Sequence, residues 1–185
     1  MNPVFSPHLS LAHHYWKQHV QPTDFAMDMT CGNGRDMAFL CHLLKQGLVY
    51  GLDIQAIALQ KTKEFLVHQN IHEQTYGLFL QSHAVPIEIP VPPRLIVYNL
   101  GYLPGGVKSI VTTGETTLVS LEQSVRLLAR DGALSITCYP GHEKGLLEEE
   151  QVLNWAAQLP SSTWRVCHHR WINRMKSPSL VWITR

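Results

Sequence analysis

The sequence predicts an α/β fold of Rossmann-like type: a mostly parallel seven-stranded sheet with helices on both faces and an antiparallel C-terminal hairpin. Three observations carry this. Short apolar runs of strand type alternate with helically spaced ones over most of the length. A glycine-rich turn, Asp28-Met-Thr-Cys-Gly-Asn-Gly34, lies between the first strand and the helix that follows it. The last two strands, 163–169 and 179–184, follow one another with no helix between, which suggests an antiparallel hairpin at one sheet edge.

The 185 residues suit one compact domain, 1–185, in which residues 1–22 form an N-terminal helical extension. Hydrophobic residues make up 45% and the formal net charge is +1, which excludes a disordered chain and gives no bulk-charge argument for a nucleic-acid partner. No apolar run approaches the roughly 20 residues of a membrane span, and the histidine-rich start lacks the pattern of a secretory signal. Cys31, Cys41, Cys138 and Cys167 are widely spaced, so a reducing, cytoplasmic setting is expected.

In chain order, a helix over 9–20 ends before Pro22, and Phe25-Ala-Met-Asp-Met29 is a short buried strand. Met37, Phe39, Leu40, Leu43 and Leu44 have helical spacing, with Gly47 as the stop. Strand two covers 48–53 and a second helix 55–69; strand three is 76–80. Four prolines between Ala84 and Pro93 require an irregular crossover. Strand four is 95–98, a helix spans 116–128, Asp131-Gly132 turns, strand five is 133–139 and the last helix is 144–159, closed by Pro160.

The glycines of the first loop permit a tight turn and close approach of a ligand to the backbone. Asp53 ends strand two at about the 20-residue spacing that places a carboxylate on ribose hydroxyls. A dinucleotide site would want a third glycine, where this chain has Met37. An acidic strand-one end also suits a cationic methionyl group better than a pyrophosphate. The cofactor is therefore expected to be S-adenosylmethionine, against a dinucleotide or a bare glycine turn. Its candidate contacts are Asp28, Thr30, Gly32, Asn33, Gly34 and Asp36 on the first loop, Asp53 and Ile54 on strand two, Ser82 and His83 after strand three, and Asn99.

Asn99-Leu-Gly-Tyr-Leu-Pro-Gly-Gly106 follows strand four and should face the transferred methyl group. An asparagine there can accept a hydrogen bond from an amine and aim its lone pair for in-line attack. Tyr102 can stack on a flat base, with Leu103, Pro104 and Gly105 beside it as candidate substrate contacts. The alternative is an ordinary turn. Tyr139-Pro-Gly-His142 ends strand five; Tyr139 or His142 can accept a proton, or the histidine can simply cap the next helix. Glu148, Glu149 and Glu150 read as a solvated helix face.

These segments resemble the small bacterial proteins labelled rRNA methylases, of the YtqB/MnmM type. The matching pieces are Asp28-Met-Thr-Cys-Gly-Asn-Gly-Arg-Asp36, Gly51-Leu-Asp53, Ser82-His83, Asn99-Leu-Gly-Tyr-Leu-Pro-Gly105 and Tyr139-Pro-Gly-His-Glu-Lys-Gly145. The resemblance implies the class I methyltransferase fold and methylation of the amine of 5-aminomethyl-uridine, or its 2-thio form, at tRNA position 34. The partner would be the tRNA anticodon stem-loop. Two departures stand out: Asp36-Met37 where the family has Asp-Thr, and Lys176-Ser-Pro-Ser179 in place of an Asn-x-Pro-Pro element. A small amine or another RNA as substrate, or a non-catalytic RNA-binding protein, are the alternatives.

Residues 151–185 contain no Asp or Glu, and hold Arg165, Arg170, Arg174, Lys176 and Arg185 among Trp155, Trp164, Trp171 and Trp182. Cations interleaved with aromatics suit an RNA surface, Arg174 being the candidate substrate contact, although alternation puts some of these tryptophans in the core. His13-His14 and His168-His169 lack a closed ligand set, so no metal is expected. The oligomeric state is left open, a homodimer included.

Overall fold

A computed structural model describes residues 7–101 and 112–185. The chain runs α1 (Pro7–His19), β1 (Phe25–Asp28), α2 (Arg35–Leu43), β2 (Leu48–Asp53), α3 (Ala56–His68), β3 (Tyr76–Leu80), β4 (Leu95–Asn99), α4 (Gly114–Leu127), β5 (Ala133–Cys138), α5 (Glu143–Ala157), β6 (Arg165–His169) and β7 (Ser179–Thr184). The seven strands form one sheet in the order β3-β2-β1-β4-β5-β7-β6. β1 to β5 pair in parallel, while β7 runs antiparallel to both β5 and β6. The order reverses between β1 and β4, which opens a crevice at their carboxyl ends, the usual ligand position in such sheets.

Period-two alternation sorts the strands onto two cores. Ala26, Val49, Leu95, Val97 and Leu180 face α1, α2 and α3, whose Trp16, Met37, Leu40, Leu44 and Leu66 close the first core. Met27, Ile96, Tyr98, Leu134, Ile136 and Val181 face α4 and α5, where Leu121, Val152 and Ala156 close the second. Each of these larger side chains contributes about 1.5–3 kcal/mol by leaving water. Tyr98 keeps its hydroxyl satisfied on Ser120 and Ser124, both at 2.7 Å, and so registers α4 against β4.

Helix α1 is not a loose extension. Tyr15 stacks on Trp182 with ring centroids 5.1 Å apart, and its hydroxyl meets His169 Nε2 at 3.1 Å. Trp16 is buried in the first core, and His13 stacks on Phe39 of α2 at 3.9 Å. These contacts pin α1 across α2 and β7, beside the crevice.

Two expectations are corrected, and a third, that some C-terminal tryptophans are core, is made specific. Gly47 does not stop α2, which ends at Leu43. A Cβ at Gly47 would lie 2.0 Å from the Asp24 carbonyl, so glycine is needed there for close backbone approach. Glu148 and Glu149 are not a solvated face. Glu148 is 4% exposed and accepts hydrogen bonds from Thr117 and Thr112 at 2.7 and 2.8 Å; Glu149 accepts from Ser179 Oγ. Of the four C-terminal tryptophans, Trp155 and Trp164 pack on the second core and Trp182 on the first. Trp171 alone among them is exposed.

Candidate active site

The crevice holds a cavity of about 600 Å³, within the range of small-molecule sites. The first-loop residues Thr30, Gly32, Asn33 and Asp36 line it, as do Asp53 and Ile54 from β2, Ser82 and His83 after β3, Asn99 and Gly101 after β4, and Tyr139 after β5. Thus nine of the eleven residues expected at the cofactor converge with Tyr139 on one space: Thr30, Gly32, Asn33, Asp36, Asp53, Ile54, Ser82, His83 and Asn99. Arg35, Gln55, Gln81, Thr112 and Thr113 line it too, and Leu9 reaches it from α1. Polar residues at helix starts and the polar N-terminal segment gave no separate signal for these.

The glycine loop is built by hydrogen bonding from the second strand. Asp53 Oδ2 accepts from Gly32 N at 3.1 Å and Oδ1 from Gln55 N at 2.9 Å. The carboxylate is thereby fixed at the β2 tip, with lone pairs remaining on the cavity side. Burial pushes its pKa up, against the backbone hydrogen bonds that lower it. Gly32 has φ 54°, a conformation that favours glycine. Thr62 of α3 donates to the Gly32 carbonyl at 3.0 Å and so ties the loop to α3.

Asp28 and Gly34 lie behind the cavity wall, contrary to expectation. Asp28 is fully buried; Oδ1 accepts from Thr30 N at 3.1 Å and Oδ2 has no hydrogen-bond partner. Burial, then the nearby Asp36 charge, holds its pKa well above the carboxylate range. Gly34 (φ 78°) starts α2 where a Cβ would lie 2.8 Å from the Thr62 Cα. It allows close packing of the loop on α3. Met37, the first departure from the family pattern, is fully buried with its sulfur against Gly51, so it too belongs to the core.

Asn99 is held from both ends. Its backbone N donates to Thr30 Oγ1 at 2.7 Å, and its Nδ2 donates to Asp36 Oδ2 at 2.7 Å. One N–H of the amide is thus used by Asp36, and Oδ1 can accept from an N–H. Gly101 and Thr112, which flank 102–111, pair with each other: Thr112 N donates to the Gly101 carbonyl at 3.0 Å, and Gly101 N donates to Thr112 Oγ1 at 2.7 Å. Thr112 in turn donates to Glu148. The expected substrate contacts Tyr102, Leu103, Pro104 and Gly105 lie outside the described residues.

The proton-handling expectations are narrowed. Burial pushes the Tyr139 phenol up to about 12, with the Asp36 charge adding to it, so the phenol stays protonated at neutral pH. His142 stands outside the cavity wall as the N-cap of α5, its Nδ1 accepting from Gly145 N at 3.0 Å. The histidine-cap alternative describes this geometry. Arg174 is exposed on the β6–β7 connection, away from the cavity wall. That connection nevertheless approaches the rim: the Lys176 carbonyl lies 3.6 Å from the place of a Gly141 Cβ. Cys31 lines the cavity, but burial keeps its thiol protonated. Among the described residues no three His, Cys, Asp or Glu side chains gather as a metal site, and no helix is long and apolar enough to cross a membrane.

A parallel sheet closed by an antiparallel β7 between β5 and β6, with an adenosyl-sized cavity and an acidic β2 tip at the switch point, is the arrangement of class I S-adenosylmethionine-dependent methyltransferases, and this chain is one. It belongs to the family described as Putative rRNA methylase, which matches residues 49–185. The tRNA (mnm(5)s(2)U34)-methyltransferase, chloroplastic, of Arabidopsis thaliana is 36% identical over 185 residues, covering 94% of this chain and 67% of that protein. Two solved structures are each 33% identical, covering 98% of this chain and 99% of theirs. One is a putative rRNA methylase from Clostridium thermocellum, with a TM-score of 0.91. The other is a putative methyltransferase from Streptococcus mutans in complex with SAH, with a TM-score of 0.87.

The residues present fit S-adenosylmethionine. Beside the left-handed Gly32 and the anchored Asp53 carboxylate, His83 offers a buried Nε2 with no hydrogen-bond partner. Burial lowers the His83 pKa, so it meets a ligand as the neutral ring.

Proposed function

We propose that this protein methylates the primary amine of 5-aminomethyl-uridine, or its 2-thio form, at the wobble position of tRNA, giving the 5-methylaminomethyl product. The observation that carries this is the hold on Asn99, which lines the cavity and whose Nδ2 donates to Asp36 at 2.7 Å; its amide oxygen then serves to accept an amine N–H. The Arabidopsis relative, named for this tRNA position, supports the acceptor class.

When bound, S-adenosylmethionine supplies an electrophilic methyl group on a sulfonium. Asp53 would hold the ribose hydroxyls, Gly32 and Asn33 would hold the ligand along the first loop, and Ser82, His83 and Ile54 would hold the adenine. Thr30 acts through Asn99, whose backbone it fixes. Asn99 Oδ1 orients the acceptor nitrogen, and alignment of this kind supplies much of the rate in an in-line displacement. Tyr139, kept protonated, donates its hydroxyl and does not take a proton. Tyr102 to Gly105 contact the uridine, with both ends of their segment secured through Gly101, Thr112 and Glu148. Trp171 and the exposed Arg170 and Arg174 meet the anticodon stem-loop by stacking and phosphate contact.

Comparison of tRNA nucleosides by mass spectrometry, with and without the gene, tests this. Loss of the gene should raise 5-aminomethyl-uridine and abolish its methylated product. Unchanged levels of both refute the wobble assignment.

A further inference from the structure

An alkylammonium must lose a proton before its nitrogen can attack, and the two groups that the sequence offers for this are otherwise engaged. Tyr139 is already a protonated phenol, and His142 caps α5. The geometry points instead to Asp36 and His13. We propose that Asp36 is the proton acceptor of the site and that His13 of α1 carries the proton from it to solvent.

Asp36 lines the cavity with a side chain 12% exposed, and its Oδ2 accepts from the same Asn99 amide that orients the acceptor nitrogen. The ammonium is therefore presented next to a carboxylate. Oδ1 of that carboxylate meets His13 Nε2 at 2.7 Å. The imidazole is fixed by stacking on Phe39, with interplanar angle 12°, and by Trp16 at 4.8 Å. Its side chain is 28% exposed, so it joins the interior carboxylate to water. The titratable groups around the pair are His8 of α1, Asp28 of β1 and Tyr139 after β5, all of which feel the Asp36 charge. Of these His8 is the one other base. Its ring lies edge-on to Tyr139 at 5.8 Å, and burial lowers its affinity for a proton.

The step balances without any co-reactant. An N–H bond of the ammonium breaks, its electron pair stays on nitrogen as the attacking lone pair, and the proton bonds to Asp36. The Nδ1–H tautomer of His13 takes it at Nε2, which restores the carboxylate and leaves an imidazolium; Nδ1 then releases a proton to water, and proton exchange of the ring with water returns the starting tautomer. Asp36 acts on the substrate directly, whereas His13 acts through it.

This inference rests on an amine as acceptor, and its test has an arm that needs none. His13→Gln keeps a hydrogen-bonding side chain but cannot relay a proton. We expect kcat to fall about 100-fold, a usual share for proton transfer. The acid limb of kcat against pH should be lost, while cofactor Kd and RNA KM stay within about twofold. Unchanged kcat and an unchanged limb overturn the proposal. A parallel loss of cofactor affinity also overturns it, because His13 would then merely dock α1. In the second arm, the ¹⁵N shifts of the His13 ring are recorded without substrate. The Nε2 resonance should move in Asp36→Asn, and an unmoved resonance overturns the pairing. If the unaltered protein methylates no tRNA amine, the acceptor assignment fails instead, and the ring resonances still decide the pair.

Discussion

Replacing Gly34 by alanine isolates how the glycine loop is supported. Residue 34 has φ 78°, and a Cβ there would lie 2.8 Å from the Thr62 Cα and 3.1 Å from both its Cγ2 and Oγ1. The nearest atom is helix backbone, so no rotamer change relieves it. An L-residue in the left-handed region costs about 1–2 kcal/mol, and overpacking adds about 1–3 kcal/mol. A loss of about 3 kcal/mol corresponds, for a chain of this size, to a drop in Tm of about 6–12 °C. Cofactor affinity should fall with it, because moving Thr62 disturbs its bond to the Gly32 carbonyl. Gly141→Ala is the control. Its Cβ would meet only the Lys176 carbonyl, at an ordinary 3.6 Å, so Tm should stay level or rise slightly. Thermal unfolding followed by circular dichroism reads both. A Gly34→Ala protein that melts within about 2 °C of the parent would refute the packing account of this glycine.

Other outcomes follow from the site. Asp53→Ala should weaken S-adenosylmethionine binding by about 10- to 100-fold, one or two charged hydrogen bonds' worth, in calorimetric titration; unaltered affinity would remove Asp53 from the cofactor. Asn99→Ala should lower kcat by about 100-fold with little change in cofactor Kd, and near-normal turnover would end its orienting role. Glu148→Gln replaces one acceptor oxygen by a donor facing Thr112 or Thr117, so RNA KM should rise several-fold and stability fall by about 2 kcal/mol; an unmoved KM would separate Glu148 from the 102–111 segment. Asp28→Asn tests the buried acid. Its folded pKa is raised, so the native state holds this proton more tightly than the unfolded chain. That contribution is full below the ordinary carboxylate range and is lost as pH rises through the folded value. The amide imitates the protonated form, so the variant's stability relative to the parent should grow from about pH 5 to pH 9 in denaturant unfolding, and parallel curves would contradict this.

Much of the fold was legible because its strands are short apolar runs set between helically spaced ones. Strands 48–53, 76–80 and 179–184 have the boundaries that the sequence predicts. Helix ends were less legible, since Leu44 continues the apolar period of α2 and still donates its backbone N to the Leu40 carbonyl, although the helix ends at Leu43. The loop glycines and Asp53 announced a ligand site through spacing. Which of them touch the cavity depends on tertiary packing: Gly34 reads like Gly32, yet it serves α3. Glu148 looked solvated within a run of three glutamates because its partners, Thr112 and Thr117, belong to another element. In the sequence His13 stands only as half of a His13-His14 pair without a ligand set, since its meaning comes only from the docking of α1 on α2. The match of the family over residues 49–185 does not reach that helix.

The most direct measurement is methyl transfer in vitro from labelled S-adenosylmethionine to an anticodon stem-loop bearing 5-aminomethyl-2-thiouridine at position 34, with nucleosides identified by mass spectrometry. The account predicts a single methyl group on the side-chain amine, and no transfer to the same stem-loop with unmodified uridine at that position. Label appearing on the unmodified stem-loop, or absent from both, would contradict it.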